Sequence, residues 1–458
     1  MATLVVLVLL LAGVACEASR VSVPHKHGRS GAGFIRTRHS EFVLHGSPFF
    51  FNGFNSYWMM RVAADPTQRN KVSDVFREAA AAGLTVCRTW AFDEGGDTPL
   101  QVTPGVYNEK VFQALDLVIS EARRYKIRLI LSLVNNFKDY GGRPRYVEWA
   151  RKAGVPNING DDDFYTNPVI KGYYKNHVMR VLTRVNTITK RMYRDDPTIM
   201  AWELINEPRC QSDYSGNTVH EWVAEMASYV KGLDGRHLLE IGMEGFYGDS
   251  MPEKKKNNPG YEVGTDFIKS NLLKQIDFAT IHAYPDIWLS GQSDGSQEAF
   301  AERWVGNHYA DAREILKKPL VLAEFGKSSK DPGYSEGERD EYLNRVYGEI
   351  YAMARRGGSI GGGLVWQLMA QGMESYYDGY EIVLPRDVST GGVINRQSHL
   401  MSALAHTLLA TPRRDHGDPS TSTSSTPALW RHRRHGHKQR RRGRKHGPRS
   451  ARPSGVHL

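Results

Sequence analysis

The sequence predicts an α/β protein: a single (β/α)8 barrel with loop insertions and a disordered basic C-terminal tail. Three observations carry the barrel. Eight short runs rich in apolar, β-branched and aromatic residues alternate with eight helix-period segments. The runs are apolar almost throughout, as strands buried on both faces must be. No glycine-rich phosphate fingerprint follows the first run, which weighs against a doubly wound open sheet, the structural competitor.

The elements follow in order. FFFNGFNSY (49–57) precedes a helical stretch at 71–82, and LTVCRTWAF, from Leu84, precedes one at 109–126. IRLILSLVNN, from Ile127, leads to 173–193, and TIMAWELINE, from Thr198, leads to 219–233. HLLEIGME, from His237, is followed by a shorter stretch at 265–275, and DFATIHAY, from Asp277, by 298–316. PLVLAEFG, from Pro319, leads to 336–356, and GGGLVWQL, from Gly361, to a closing helix at 398–409. Each helical stretch spaces its apolar residues three and four apart. Residues 30–410 form the expected barrel domain.

The two ends read differently. An apolar block from Leu4 to Val14, followed by small residues, is too short to span a bilayer and reads as a secretory leader, 1–18. No positive charge precedes it, which departs from the usual pattern. An exported, wall-located chain without a membrane span is expected. Once the leader is removed, Cys87 and Cys210 remain, open to pairing or to staying thiols, and a disulfide-dense scaffold is excluded. No Asn-x-Ser/Thr sequon occurs.

The net charge of +10 is a property of the tail. Residues 412–458 hold 13 Lys/Arg against two Asp, whereas the rest carries 47 basic and 48 acidic groups. Segment 411–458 is a Ser/Thr/Pro linker and a basic run with almost no apolar residues, so disorder is expected. It suits either no partner or acidic wall polymers held by screened attraction. A nucleic-acid role conflicts with export.

In a barrel of this kind, chemistry gathers at the carboxyl ends of the strands. Those ends carry Arg88-Thr89-Trp90, Asn135-Asn136, Asn206-Glu207, His282-Ala283-Tyr284, Glu324-Phe325-Gly326 and Trp366-Gln367. Two carboxyls facing each other across a barrel mouth, from the fourth and seventh strands, suit glycosidic bond cleavage. One protonates the leaving oxygen, and the other attacks the anomeric carbon or activates water.

CRTW, WELINEP, IHAY and LAEFG, in that order at strand ends, resemble glycoside hydrolase family 5. FFFNGFNSYWMM, RTWAF, NEPRC and VWQL are further similar to the plant-type endo-β-1,4-mannanases, over roughly 42–409. The resemblance implies a retaining endo-glycosidase that hydrolyses internal β-1,4 links in mannan, glucomannan and galactomannan, with transglycosylation as a second outcome. It makes Glu207 the general acid/base and Glu324 the nucleophile. Asn206 would bind the sugar 2-hydroxyl, Arg88 and Tyr284 would hold Glu324, and His282 would line the site. Trp366 would form a stacking floor and Trp90 would contact the chain. The implied enzyme works as a monomer without a cofactor.

Each residue has a structural rival: a carboxylate at a strand end often caps or pairs, and a large aromatic usually packs. Glu203 reads as an ion partner for Arg88. Glu240, Glu244 and Glu374 read as loop or rim residues, and Tyr57, Trp58 and Asn135 as rim contacts. No metal motif occurs; the histidines of RHRRHGHK lack carboxylate or cysteine companions. The alternatives are a β-1,4-glucan-active enzyme of the same family and an inactive carbohydrate-binding wall protein.

Overall fold

The computed structural model describes residues 33–410. The expected leader and the linker and basic tail lie outside the described residues.

Eight strands form the barrel wall: β1 Phe51–Asn55, β2 Val86–Trp90, β3 Arg128–Ser132, β4 Ile199–Glu203, β5 Leu238–Glu240, β6 Ala279–Ala283, β7 Leu320–Phe325 and β8 Ile360–Val365. All neighbouring pairs are parallel, and spatial order follows chain order from β6 through β8 and β1 to β5. Backbone bonds bridge the β5–β6 seam. Asp277 N–H donates to Leu239 O at 2.8 Å, and His282 N–H donates to Glu244 O at 3.0 Å. That consecutive order and closure exclude the open sheet.

The helices that complete the eight β/α units are α1 Asn70–Ala81, α2 Glu109–Arg124, α3 Pro168–Leu182, α4 Asn217–Leu233, α5 Phe267–Asn271, α6 Asp294–Asp311, α7 Glu336–Arg355 and α8 Val388–Ala410, with further helices such as Met59–Ala64 and Gly142–Lys152 in the connections. The third departs from its expected span of 173–193. The Asn167 side chain accepts from Val169 and Ile170 N–H with Pro168 at the first position, so the helix starts earlier. It stops at Leu182 because the next turn binds Asp116 instead. That buried carboxylate accepts from Arg184 Nε and Nη2 at 2.9 and 2.7 Å, from Tyr193 Oη at 2.6 Å and from Thr187 N–H at 3.0 Å.

α8 begins ten residues before its expected start at 398, and α5 is shorter than the stretch 265–275. α6 runs on into a wide turn at Ala312–Leu316. No described helix is long and apolar enough to cross a membrane. Cys87 and Cys210 are buried free thiols, which resolves the open pairing question.

A small antiparallel sheet (Arg36–Arg38, Glu41–Leu44, Ser47–Pro48) packs against the lower interior of the barrel. Its Phe42 meets Phe278 at 5.2 Å and Phe51 at 6.1 Å. Val86, Ile130, Ala201, Leu238, Val321 and Leu364 fill the same interior layer. Because a strand's side chains alternate, the residue two positions on faces the same interior. Above Val86, Ala201 and Leu238 therefore come Arg88, Glu203 and Glu240, all buried. Glu240 is thus an interior residue, and the rim expectation is corrected. An apolar floor supports a polar layer, and the polar layer underlies the mouth.

The Asp116 cluster ties α2 to the chain after α3. Asp116→Ala leaves Arg184 with Glu109 alone and takes the acceptor from Tyr193 Oη and Thr187 N–H, and should cost about 3 kcal/mol. Urea unfolding of the variant beside the parent checks this.

Candidate active site

The last turns of β4 explain how two consecutive polar residues face one cleft. Past Glu203 the chain still pairs alternately with both neighbours. Ile205 N–H donates to Ile241 O at 3.0 Å, Asn206 N–H to Val134 O at 2.8 Å and Glu207 N–H to Gly242 O at 2.8 Å. Glu207 then adopts φ +50°, the left-handed region that most side chains avoid at a cost of about 1–2 kcal/mol. This turn replaces simple alternation and brings both Asn206 and Glu207 to the cleft. Gly242 permits it: a Cβ there would lie 1.9 Å from Ile205 O.

Glu324 reaches the same cleft through a bulge. Ile281 pairs with Leu322 but His282 pairs with Glu324, so β7 carries one extra residue there. Ala323 packs in the lower interior and the next residue, Glu324, lines the cleft.

Arg88 joins these strands. Its Nε and Nη2 hold Glu203 at 2.5 and 2.7 Å, its Nη1 reaches Glu324 Oε1 at 2.5 Å and Asn55 Oδ1 at 3.1 Å, and Nη2 reaches Asn206 Oδ1 at 2.7 Å. All five donors of the guanidinium are used. Burial alone would raise the Glu203 carboxyl, but Arg88 outweighs it and holds Glu203 at about 2. Glu203 is the ion partner its strand position suggested.

The two carboxyls at the mouth have different surroundings. Glu324 accepts from Arg88 and, at 2.7 Å, from Tyr284 Oη. Glu207 has His282 Nδ1 at 2.6 Å from its Oε1 and no direct hydrogen bond from a cation. His282 Nδ1 also lies 3.6 Å from Glu324 Oε2, so one imidazole edge faces both. Burial pushes both carboxyls above their ordinary range. Arg209 and Arg88 offset part of this for Glu207, and Arg88 and Tyr284 do so for Glu324. Burial keeps His282 below its usual value, hence neutral.

Donor atoms of Glu207, His282 and Glu324 all lie within 4.8 Å of one another. These are ligand-type groups, but Arg88, Tyr284 and His282 already occupy most of the carboxylate oxygens, which does not suit an ion.

The carboxyls open into a cleft of about 450 Å³. Its walls include Tyr57, Trp90, Phe137, Tyr140, Tyr261, Trp288, Trp366 and Tyr377. Trp366 is half-buried, stacks on Tyr57 at 5.7 Å and 10°, and donates to Asp378 at 2.7 Å. Trp90 lines the cleft but is largely covered by Tyr57, Phe92 and Tyr140, each centroid within 5.1 Å. Trp58 does not reach the rim: it is buried and donates to Leu368 O at 3.0 Å. Asn135 lines the cleft and accepts from Asn206 Nδ2 at 3.0 Å. That leaves Asn206 one further amide N–H.

Residues 32–377 match the GH family 5 beta-mannosidase-like family. The chain is 63% identical over 401 residues to mannan endo-1,4-β-mannosidase 5 of Solanum lycopersicum, spanning 88% of this chain and 96% of that protein. To mannan endo-1,4-β-mannosidase 1 of Oryza sativa subsp. japonica it is 57% identical, with 84% and 91% covered. The endo-β-1,4-mannanase structure from Thermotoga petrophila superposes with TM-score 0.66 at 31% identity, covering 80% and 78% of the two chains. The chain belongs to glycoside hydrolase family 5.

In this family 5 chain, several cleft residues had no role in the sequence reading. Arg209, two positions after Glu207, pairs with Glu244 at 2.9 and 2.6 Å beside the carboxyl pair. Glu244 is buried in that pair, not a rim residue. NEPRC contains Arg209, so its closeness to Glu207 was the available signal. Tyr140, Tyr261, Trp288, Tyr377 and Asp378 come from connections between strands and helices, where no periodicity marks them.

Arg88→Lys keeps the charge but replaces a five-donor fork with three mobile donors. It should cost about 3 kcal/mol, the scale of a broken buried ion pair. Denaturant unfolding at neutral pH measures it.

Proposed function

We propose that this chain is a retaining endo-glycosidase that hydrolyses internal β-1,4-mannosidic bonds of mannan, glucomannan and galactomannan. The observation that carries the reading is the Glu207–Glu324 pair, with oxygens within 4.8 Å across an aromatic-walled cleft. A separation of about 5–5.5 Å suits a covalent glycosyl-enzyme, whereas inverting enzymes leave about 6.5–9.5 Å for a water. The named activity of the Solanum lycopersicum relative supports mannan as the substrate.

The surroundings divide the roles. The carboxyl that accepts from Arg88 and Tyr284 is the better anion, so Glu324 is the nucleophile. Glu207 lacks such a donor and keeps the proton, so it serves as general acid. The order is then simple. Glu207 protonates the leaving oxygen as Glu324 attacks the anomeric carbon, and Glu207 next takes a proton from the water that releases the sugar. The spare N–H of Asn206 suits the 2-hydroxyl, whose hydrogen bond tightens as the ring gains positive charge. Trp366, half-buried and stacked on Tyr57, suits the sugar platform. No step needs a metal or organic cofactor. The apolar leader supports export to the wall, and the basic tail suits contact with acidic wall polymers.

Glu207→Ala and Glu324→Ala should each lower kcat on galactomannan by about 10³-fold or more, with carboxymethylcellulose a poor substrate throughout. Reducing-sugar release measures both, and an intact rate in either variant would refute the assignment. Proton NMR of early mannohexaose products should show the β-anomer first.

The pH profile of kcat/KM should be a bell. Activity falls at low pH as Glu324 gains a proton and at high pH as Glu207 loses one. Both carboxyls are pushed up, so both limbs should lie above the usual carboxyl value of about 4.3. An acidic limb below that value would contradict the burial argument.

A further inference from the structure

Glu240 takes no part in the scheme above, yet it lies against the groups that do. It ends β5, in register with Glu203 on β4, and is fully buried. Its Oε2 accepts from Thr280 Oγ1 at 3.0 Å, and its Oε1 has no donor among the described residues. Glu240 and Glu203 stand side by side on adjacent parallel strands and face the same interior, and both Glu203 oxygens are acceptors already holding Arg88. Two buried carboxyl groups side by side in one apolar-floored layer repel unless one carries a proton.

The charge balance points the same way. The groups facing this layer are Arg88 from β2, Glu203 from β4, His282 and Thr280 from β6, and Glu324 from β7. His282 is neutral, so an ionised Glu240 would set three carboxylates against one guanidinium. Burial and the charge on Glu203 both push the Glu240 carboxyl well above its ordinary range. Glu203 cannot take the proton as readily, because Arg88 grips it with two bonds.

We propose that Glu240 is a positioning residue acting as a neutral acid: its O–H donates to Glu203 and fixes the carboxylate that orients Arg88 toward Glu324. The chain of contacts is Glu240 to Glu203 to Arg88 to Glu324. It runs across the barrel, and the part Glu240 plays in turnover rests on the nucleophile assignment made under Proposed function. The proton on Glu240 does not depend on that assignment.

Infrared difference spectra of the parent and E240Q test the proton directly. At neutral pH the parent should show a buried carboxylic-acid carbonyl band that E240Q lacks. The amide of Gln keeps a donor toward Glu203 and an acceptor for Thr280 without changing the charge. The acidic limb of kcat/KM in E240Q should therefore stay within about 0.3 pH unit of the parent. E240L keeps the charge but removes the donor, and its kcat should fall about tenfold with KM little changed.

Absence of the acid band overturns the proposal. So does an acidic limb displaced to lower pH by about one unit in E240Q, because a lost negative charge near Glu324 would ease its ionisation. Equal kcat in E240L and E240Q overturns the positioning role. If E240L does not fold, the band and the E240Q profile still decide. A parent that shows the band but leaves mannan intact refutes the proposed function and leaves the protonation standing.

Discussion

A guanidinium buried away from water must find an acceptor for every N–H, and Arg88 meets that demand by drawing four residues from three other strand positions toward one point. Asn55 on β1, Glu203 on β4, Asn206 just beyond it and Glu324 on β7 all converge there. Transferring such a cation from water costs several kcal/mol, and only complete pairing offsets it. The pairing has a second consequence. Strands far apart around the barrel are held at defined distances through side chains as well as through backbone bonds. The carboxyl pair at the mouth inherits its spacing from that network.

The network also makes the two mouth carboxyls chemically unequal. Glu324 is buried and Glu207 largely so, and both are pushed upward, so burial by itself does not divide their roles. What separates them is the identity of the donors. Glu324 receives a guanidinium and a phenol, while Glu207 shares only the edge of a neutral imidazole. Glu207 also sits in left-handed backbone, and strain at functional positions persists only where the surroundings enforce it. Here they include the bond from Glu207 N–H to Gly242 O and the close approach at Gly242 that excludes any side chain.

Layering of the barrel interior connects this chemistry to stability. The apolar floor around Phe51, Phe278 and Phe42 excludes water from below, and the polar layer rests on it. Low water content strengthens each charge-assisted contact and equally makes any unpaired group costly. Above the layer, aromatic side chains from the connecting loops widen the mouth into a cleft. The wall thus supplies rigidity, and the loops supply shape.

The sequence by itself determined the barrel, its eight strands, most of its helices and the carboxyl pair. These follow from periodicity, from polar residues ending apolar runs, and from motifs short enough to read locally. The 173–193 stretch failed because its end depends on Asp116, more than fifty residues earlier in the chain. Trp58 and Glu240 failed because burial depends on what packs opposite, which no local pattern records. Only the tertiary structure decided that Cys87 and Cys210 stay apart, that Arg209 and five loop-borne side chains join the cleft, and that Glu324 takes two donors where Glu207 takes an imidazole. The physical reason is common to all of these. Propensity and alternation act between near neighbours, whereas burial, ion pairing and proton affinity are set by residues distant in the chain.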